Sequence, residues 1–435
     1  MFNFFAVLLC AFALALMCLT DCDAADRPGT NSDESKVKPY TLPDPLICLD
    51  GTKVTDAQTW RTKRRPELLE LFRKNMYGRS PDRPNGMSCE ITSTDVKALN
   101  GLATRKEIDI VISDVKGAPR IHLLLYIPNA ATKPVPAILG VNFDGNHTIC
   151  ADPGITIRDE WTWDSKEKKD KLAKPAETTR GKSTGSWAVE MLLKRGYAVA
   201  TIARANIEPD YADGWKHGIR GFYLAQSGKS EFAADDWGAI GAWAWGLSRA
   251  LDCLEADSAI DAKRVVVFGH SRMGKTALWA GAQDERFALV ISNDSGEGGA
   301  ALARRWFGET TAAINKSFPH WFCANFKQYS DNEANMPTDQ HELLALAAPR
   351  PLYVASAEDD KWADPKGEFL SAKNAGPVYR LFGKEGVGVE EWPSVNHPVG
   401  DTVGYHIRTG KHDVTDYDWE QYLAFADRHF GKSAK

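Results

Sequence analysis

Hydrophobic and polar positions along the chain follow two different periods. Apolar residues recur at helical spacing over residues 55–77 and 235–256, which predicts two long helices. Over residues 106–113 and 120–127 every second residue is apolar, which predicts paired antiparallel strands near the edge of a sheet. Both kinds of element therefore contribute to the fold.

Short apolar runs separated by helical segments continue through the rest of the chain. They predict buried strands over residues 135–143, 197–202, 265–268, 287–292 and 351–357, and a last helix over residues 418–430. Strands that alternate with helices favour a mainly parallel, doubly wound sheet with helices on both faces. The predicted fold class is α/β.

The first residues differ in composition from the rest of the chain. Residues 2–19 are almost wholly apolar and small residues follow, which predicts a signal peptide over residues 1–24. Because no positive charge precedes the apolar run, a retained anchor is the alternative. Residues 25–40 are polar and are expected to form a flexible leader. Residues 41–435 contain no linker and are expected to form a single domain, secreted or periplasmic.

Charge and cysteine content exclude some classes of function. The 53 basic and 58 acidic residues give a net charge of −5 with no basic run, which disfavours nucleic-acid binding. The cysteines after the leader fit no zinc pattern, although secretion would permit one or two disulfides among them (Cys48, Cys89, Cys150, Cys253 and Cys323). Neither a metal site nor a cofactor is predicted.

A candidate nucleophile lies where the strand at residues 265–268 meets the next helix. The letters GHSRMGK at residues 269–275 resemble the turn of a nucleophile elbow, with Met273 in place of its second glycine. Gly269 allows a sharp turn beneath Ser271, and the following helix N-terminus suits a developing oxyanion. The plainer interpretation is an ordinary strand-to-helix turn that happens to contain glycine and serine.

A nucleophilic serine needs a histidine base, which follows it in chain order in α/β hydrolases. His397, His406 and His412 all fall in one predicted loop before the last helix. His412 is favoured because it lies closest to that helix, and the other two remain alternatives.

The third member of such a triad is a carboxylate that orients the histidine. Asp294 and Asp360 each follow a predicted strand, at the strand ends where catalytic groups collect in parallel sheets. Acidic residues at these positions also cap helices. The residues alone leave the choice between the two open.

Several segments together resemble the bacterial glucuronoyl esterases of carbohydrate esterase family fifteen, within the α/β-hydrolase superfamily. They are GHSRMGK at residues 269–275, DSGEGGAA at 294–301, NFDGNH at 142–147 and GYHIRTGKHD at 404–413. The family's spacing of its second glycine also accounts for Met273. The resemblance runs from about residue 45 to residue 430. It implies a three-layer α/β-hydrolase sandwich with inserted loops around the active-site cleft.

The resemblance also implies an activity: hydrolysis of the ester between (4-O-methyl-)glucuronic acid on xylan and an alcohol of lignin. Ser271 matches the nucleophile, His412 the base, and Arg272 a residue that serves the oxyanion. Asp294 and Asp360 match two alternative positions of the acid, of which Asp360 is the commoner hydrolase arrangement.

Further positions match residues that bind the sugar in this family. Lys275 matches a lysine that contacts sugar hydroxyls, and Glu309 and Trp362 match residues that bind the uronic acid. Trp306 is a weaker candidate, and the tryptophans of a long polar insertion over residues 150–186, Trp161 and Trp163, are candidates for the rim of the cleft.

The expected substrates are therefore glucuronoxylan and lignin–carbohydrate esters. No stable membrane association is expected, and the protein is expected to be a monomer. The alternatives are another carbohydrate esterase, such as an acetyl xylan esterase, and a catalytically silent carbohydrate-binding protein.

Overall fold

The computed structural model describes residues 29–431. The predicted signal peptide and the first residues of the predicted leader lie outside these described residues. Within the described part of the chain, no helix has the length and apolar character needed to cross a membrane.

The strands are β1 Ser88–Ala98, β2 Ala103–Val111, β3 Arg120–Pro128, β4 Val135–Asn142, β5 Glu160–Asp164, β6 Lys169–Ala173, β7 Ala198–Ala203, β8 Ile260–His270, β9 Leu289–Asn293, β10 Leu352–Ala357 and β11 Val403–Arg408. Within residues 29–431, nine strands form one sheet in the order β1-β2-β3-β7-β4-β8-β9-β10-β11. The six strands from β7 to β11 in this order are parallel. The three strands at the other edge pair antiparallel, as the alternation in β2 and β3 predicts.

The α-helices are α1 Ala57–Thr59, α2 Arg65–Phe72, α3 Thr184–Trp187, α4 Val189–Lys194, α5 Arg204–Ile207, α6 Ile219–Gln226, α7 Ala239–Ala256, α8 Arg272–Gln283, α9 Thr311–Ser317, α10 Gln340–Ala345, α11 Pro365–Arg380 and α12 Asp416–His429. The predicted helix over residues 55–77 corresponds to α1, α2 and two π-helical turns, at Trp60–Arg64 and Arg73–Tyr77. The helix predicted over residues 235–256 begins later, at Ala239.

Helices cover both faces of the sheet. Val265 and Val267 of β8 pack into one buried cluster together with apolar residues of α2, α7, α8, α10 and α11. Val266 and Phe268 point the other way, into a second cluster built with α4 and α12. Because successive strand residues face opposite sides, a continuous apolar run is what a strand buried on both faces requires. The predicted three-layer α/β sandwich is confirmed.

Two strands of the main sheet were not predicted from the sequence. β1 is polar and largely exposed on both faces, so its residues lack the alternation that identifies a half-buried strand. β11 lies in the stretch that the sequence analysis assigned to a loop before the last helix, and that assignment is wrong. β11 is fully buried, with His406 and Arg408 both bonded to Asp418 of α12.

The N-terminal segment of the described chain packs against the domain. The backbone oxygen of Asn31 accepts a hydrogen bond of 2.7 Å from the Gly308 amide. The Glu34 carboxylate bonds Arg305 and, at 2.7 Å, Lys366. Residues 31–36 of the predicted flexible leader are therefore held by the domain.

One disulfide joins the edge strand to the helical layer. Cys89 of β1 is bonded to Cys253 of α7, 164 residues along the chain, while the three other cysteines of the described chain are free and buried. A cross-link over so long a loop restricts the unfolded chain and stabilises the fold.

Candidate active site

Ser271 occupies the turn between β8 and α8. Its backbone has φ 57° and ψ −128°, a left-handed conformation that side chains adopt at a cost. The turn needs glycine at position 269, because a Cβ there would lie 1.8 Å from the carbonyl oxygen of Met273. The following helix, α8, begins at Arg272, so its first amides adjoin the serine.

The His412 side chain is held by a carboxylate that follows β10. Its Nδ1 lies 2.6 Å from Oδ2 of Asp360, which follows β10 and is buried. The His412 ring centroid is 4.5 Å from that of His270, the residue directly before Ser271. With Nδ1 facing Asp360, Nε2 is the nitrogen left to act as a base.

The loop that carries His412 is fixed from beneath by Arg408 at the end of β11. One guanidinium nitrogen, Nη2, donates to the carbonyl oxygens of Lys411 and Asp413, the two neighbours of His412, at 2.9 and 2.6 Å. Its Nε donates to Asp418 at 2.7 Å. A short exposed loop is thereby held in one conformation by a buried cation.

Asp294, the other predicted acid, lies behind this pair. One oxygen of each carboxylate, Asp294 and Asp360, and a ring nitrogen of His412 all lie within 4.8 Å of one another. Asp294 is buried, and neither of its carboxylate oxygens accepts a hydrogen bond within the described chain. Burial, together with the negative charges of Asp360 and Glu368, holds its pKa well above the ordinary value. The Arg408 guanidinium, 3.6 Å from Oδ2, acts in the opposite direction, and the net shift favours the protonated form of Asp294.

The two other candidate histidines lie elsewhere. His406 is fully buried on β11, where its ring bonds Asp418 and Tyr353. His397 is exposed and bonds only its own loop, at the carbonyl oxygen of Val395. His412 is thus the candidate that lies beside the serine turn.

The His270 side chain lies next to His412 and is uncharged. Its Nδ1 lies 2.6 Å from Oδ1 of Asn293 on β9. Burial and the neighbouring His412 hold the pKa of His270 well below the usual value for histidine. This imidazole therefore stays uncharged while His412 takes up a proton.

Arg272 extends its side chain along the cleft into a cluster of rings. The guanidinium carbon lies 4.9, 5.5 and 5.7 Å from the ring centroids of Trp321, Phe318 and Phe143. One terminal nitrogen donates to Asp210 at 2.6 Å. The side chain remains 28% exposed, so its positive charge is held in place by Asp210 and is still partly open to solvent.

The predicted sugar-binding residues form a neighbouring group. Lys275 is buried on α8, one turn after Ser271, and donates to the carbonyl oxygen of Ser295. Burial lowers its pKa, whereas the carboxylates of Glu309 and Glu297 raise it. The Glu309 amide donates to the carbonyl oxygen of Trp362 at 2.8 Å, which brings these two residues together.

The polar insertion folds into the hairpin of β5 and β6 and borders the cleft. Trp161 stacks on His217 with centroids 3.7 Å apart, and Trp163 is 49% exposed, 6.1 Å from the Tyr211 ring. Trp306 has positive φ and is 36% exposed. Trp163 and Trp306 therefore each present an exposed indole to solvent.

Comparisons with known proteins place the chain in a family. A family model for fungal glucuronyl esterases matches residues 189–383. The chain is 48% identical to the carbohydrate esterase MZ0003 of an unknown prokaryotic organism, over 99% of both chains. A solved glucuronoyl esterase from Solibacter usitatus is 53% identical and superposes with a TM-score of 0.87, covering 91% of this chain and all of that one.

The chain belongs to the glucuronoyl esterases of carbohydrate esterase family fifteen. A 4-O-methyl-glucuronoyl methylesterase of Neurospora crassa, 28% identical over 79% of this chain and 73% of its own, extends the similarity to fungal members. The resemblance seen in the sequence motifs is confirmed. The comparisons do not test the individual site residues, which stay predictions.

The structure adds two residues to the glucuronoyl esterase site that the sequence analysis missed. Asp210 and Arg408 contact Arg272 and the His412 loop, respectively. Asp210 follows β7 and α5 at the same edge of the sheet as Asp294 and Asp360, and this position was the available signal. Arg408 gave none, because it lies within a strand that the sequence did not reveal.

Proposed function

We propose that this protein is a secreted serine esterase that hydrolyses the ester between (4-O-methyl-)glucuronic acid of glucuronoxylan and lignin alcohols, through an acyl-enzyme on Ser271. The observation that carries the proposal is the His412–Asp360 pair beside a strained serine turn, in a chain of the glucuronoyl esterase family. Secretion is part of the proposal and rests on the apolar N-terminal sequence.

In the first step, Nε2 of His412 accepts the proton of the Ser271 hydroxyl as the serine oxygen attacks the ester carbonyl carbon. Asp360 holds Nδ1–H and stabilises the imidazolium that forms. The bond to the alcohol oxygen then breaks, and His412 returns its proton to that oxygen. The alcohol leaves, and the glucuronoyl group remains on Ser271 as an ester.

In the second step, water attacks the acyl-enzyme. His412 takes a proton from the water, and the tetrahedral intermediate collapses as the Ser271 oxygen regains a proton. The products are free glucuronic acid on its xylan chain and the unmodified enzyme. Over the two steps, one water molecule is consumed for each ester bond that is cleaved.

The developing oxyanion meets two kinds of positive potential. The N-terminal amides of α8 adjoin Ser271, and the guanidinium of Arg272 lies on the cleft side. Preorganised donors of this kind supply a large share of the stabilisation in acyl transfer. The amide of Gly145, in the loop after β4, is already bonded to Oδ1 of Asn142 at 2.8 Å, so we do not assign it to the oxyanion.

Of the two acids, we assign the orienting role to Asp360. It makes the direct bond to His412, whereas Asp294 makes no hydrogen bond within residues 29–431 and lies 3.6 Å from the Arg408 guanidinium.

The acid side of the substrate is assigned to Lys275, Glu309 and Trp362. The first two offer charged groups for sugar hydroxyls and the third offers a ring face. Their mutual proximity supports this assignment, because burial lowers the pKa of Lys275 while the Glu309 carboxylate partly offsets that shift, and the Glu309 amide bonds Trp362. An acetyl group has no hydroxyl groups or sugar ring for these three side chains to bind.

The test compares the hydrolysis of two esters by two variants, Lys275→Met and a control. Lys275→Met keeps the approximate length and the apolar part of the side chain, and it removes the charge and the hydrogen bond to the carbonyl oxygen of Ser295. We expect kcat/KM for benzyl glucuronate to fall by about 10²-fold, as for loss of a hydrogen bond to a charged group, and turnover of phenyl acetate to stay within about threefold. Lys263→Met, on an exposed side chain outside the site, is the control. Equal losses on both esters would favour a general esterase and contradict the uronate assignment.

A further inference from the structure

Asp210 is the point where the side chains around Arg272 meet. It lies in the loop after α5, and its carboxylate is 2% exposed. Oδ2 accepts from Arg272 Nη1 at 2.6 Å and from Arg204 Nη1 at 2.5 Å. Oδ1 accepts from His320 Nε2 at 2.9 Å and from Trp321 Nε1 at 2.7 Å. Four donors thus converge on one buried anion.

These contacts separate two guanidinium groups that would otherwise repel each other. Arg204 and Arg272 share the single oxygen Oδ2 of Asp210, and no other carboxylate is paired with Arg272 within the described chain. The two cations, with His320, hold the pKa of Asp210 well below its usual range, so the carboxylate is ionised at every working pH. The cluster of Arg204, Asp210 and Arg272 keeps one net positive charge.

Trp321 links the anion to the ring cluster. Its indole nitrogen donates to Asp210, and its ring faces the Arg272 guanidinium at 4.9 Å. Asp210 therefore fixes Arg272 in two ways, by a direct ion pair and by orienting a ring on which the guanidinium lies.

We propose that Asp210 is a positioning residue for the esterase reaction: it holds the Arg272 guanidinium beside Ser271, where the oxyanion develops. The role rests on the proposed function only in the choice of ester, because the same oxyanion forms in any acyl transfer through Ser271. Asp210 contacts neither the nucleophile nor the base within the described chain, and it acts through Arg272.

The role predicts a particular pattern of loss. Without the charge of Asp210, Arg204 and Arg272 repel each other, and Arg272 loses its place. We expect Asp210→Asn to lower kcat by about 10- to 100-fold, somewhat less than the 10²–10³-fold typical for removal of an oxyanion donor. KM is expected to change by less than about threefold, because the interaction is stronger in the transition state than in the ground state.

A double-mutant cycle distinguishes this role from a structural one. Asp210→Asn and Arg272→Met are measured singly and together, with kcat on benzyl glucuronate and thermal unfolding on each variant. If Asp210 acts through Arg272, Asp210→Asn costs no more than about twofold once Arg272 has been replaced. Equal losses in both backgrounds, or an Asp210→Asn variant with the kcat of the wild type, would overturn the proposal.

A neighbouring ion pair supplies the matched control. Glu208 holds Arg220 through two guanidinium nitrogens and is also fully buried, but it does not touch Arg272. Glu208→Gln should lower the unfolding temperature as Asp210→Asn does and change kcat by less than about threefold. A kcat loss in Glu208→Gln as large as that in Asp210→Asn would mean that any broken buried pair here impairs catalysis, which contradicts the proposal.

Two provisions keep the test decisive. If Asp210→Asn does not fold, Asp210→Glu keeps the charge but moves it by one methylene, and the same cycle with Arg272→Met is run on it. If the wild type does not cleave benzyl glucuronate, the proposed function fails, and the cycle is measured on phenyl acetate, where coupling or its absence still decides the role of Asp210.

Discussion

Two acidic residues, Asp294 and Asp360, lie near His412, and the structure gives them different relations to that histidine. We compare Asp360→Asn with Asp294→Asn, two substitutions of the same size at two buried carboxyl groups. Asp360 bonds His412 Nδ1 at 2.6 Å, the short distance of a charge-assisted bond. An asparagine there presents either a donor to Nδ1, which selects the wrong tautomer, or a neutral oxygen, which stabilises the imidazolium poorly.

The expected magnitude for Asp360 follows from that bond. The corresponding change in a Ser–His–Asp triad lowers kcat by about 10⁴-fold, which equals about 5 kcal/mol of transition-state stabilisation. Asp294 makes no hydrogen bond to His412, and burial together with two neighbouring carboxylates raises its pKa and favours its protonated form. Replacing it by neutral asparagine should therefore cost less than about fivefold in kcat, or about 1 kcal/mol.

The assay measures release of benzyl alcohol from benzyl glucuronate at about pH 7.5. Thermal unfolding of both variants controls for misfolding. A loss in Asp294→Asn equal to or greater than that in Asp360→Asn would refute the assignment, and it would identify Asp294 as the group that orients His412 during turnover.

Three further outcomes follow from the structure. Gly269→Ala places a methyl group 1.8 Å from the Met273 carbonyl oxygen, so we expect a loss of roughly 3 kcal/mol or more in unfolding free energy; an unchanged melting temperature would contradict the turn geometry. Reduction of the Cys89–Cys253 disulfide should lower the unfolding free energy by about 2–5 kcal/mol. Dithiothreitol should therefore lower the melting temperature of the wild type and leave that of Cys253→Ser unchanged. For Asp294, the raised pKa means that the folded protein keeps a proton that the unfolded chain releases above about pH 4, so wild-type stability falls as pH rises towards that pKa. Urea unfolding at two pH values, about 5 and 8, should give a steeper fall for the wild type than for Asp294→Asn, and equal slopes would count against a neutral Asp294.

The sequence predicts best the elements whose burial is uniform. The apolar run at residues 265–268 lies at the centre of the sheet, and its turn is fixed by a glycine that no other residue can replace. The same logic places Asp294 and Asp360 at one edge, because parallel strands end together. Fold class and the neighbourhood of the serine could therefore be derived from pattern alone.

Buried polar networks explain what could not be predicted. β11 carries His406 and Arg408 in its interior, and they are compatible with burial only because Asp418 of α12 pairs with both. Val403, Tyr405 and Ile407 alternate with polar residues, a pattern typical of a strand with one polar face, so burial of both faces could not be predicted without that partner. The position of Asp210 near a strand end was a signal, but its contacts could not be derived from the sequence, since its four donors come from separate parts of the chain.

Choosing between Asp294 and Asp360 also needed three-dimensional information. Both follow a strand and both match a position used in the family. Only the 2.6 Å contact with His412, and the lack of any hydrogen bond to Asp294 within residues 29–431, separate them. Neither observation can be made from the spacing of residues in the sequence.

The most direct test of the central claim is hydrolysis of benzyl glucuronate and of an aryl acetate by the wild type and by Ser271→Ala. We expect the wild type to cleave the glucuronate ester efficiently and the acetate weakly, and Ser271→Ala to lose glucuronate cleavage while remaining folded. Strong acetate turnover without glucuronate cleavage would contradict the substrate. Glucuronate cleavage that survives in Ser271→Ala would contradict the nucleophile.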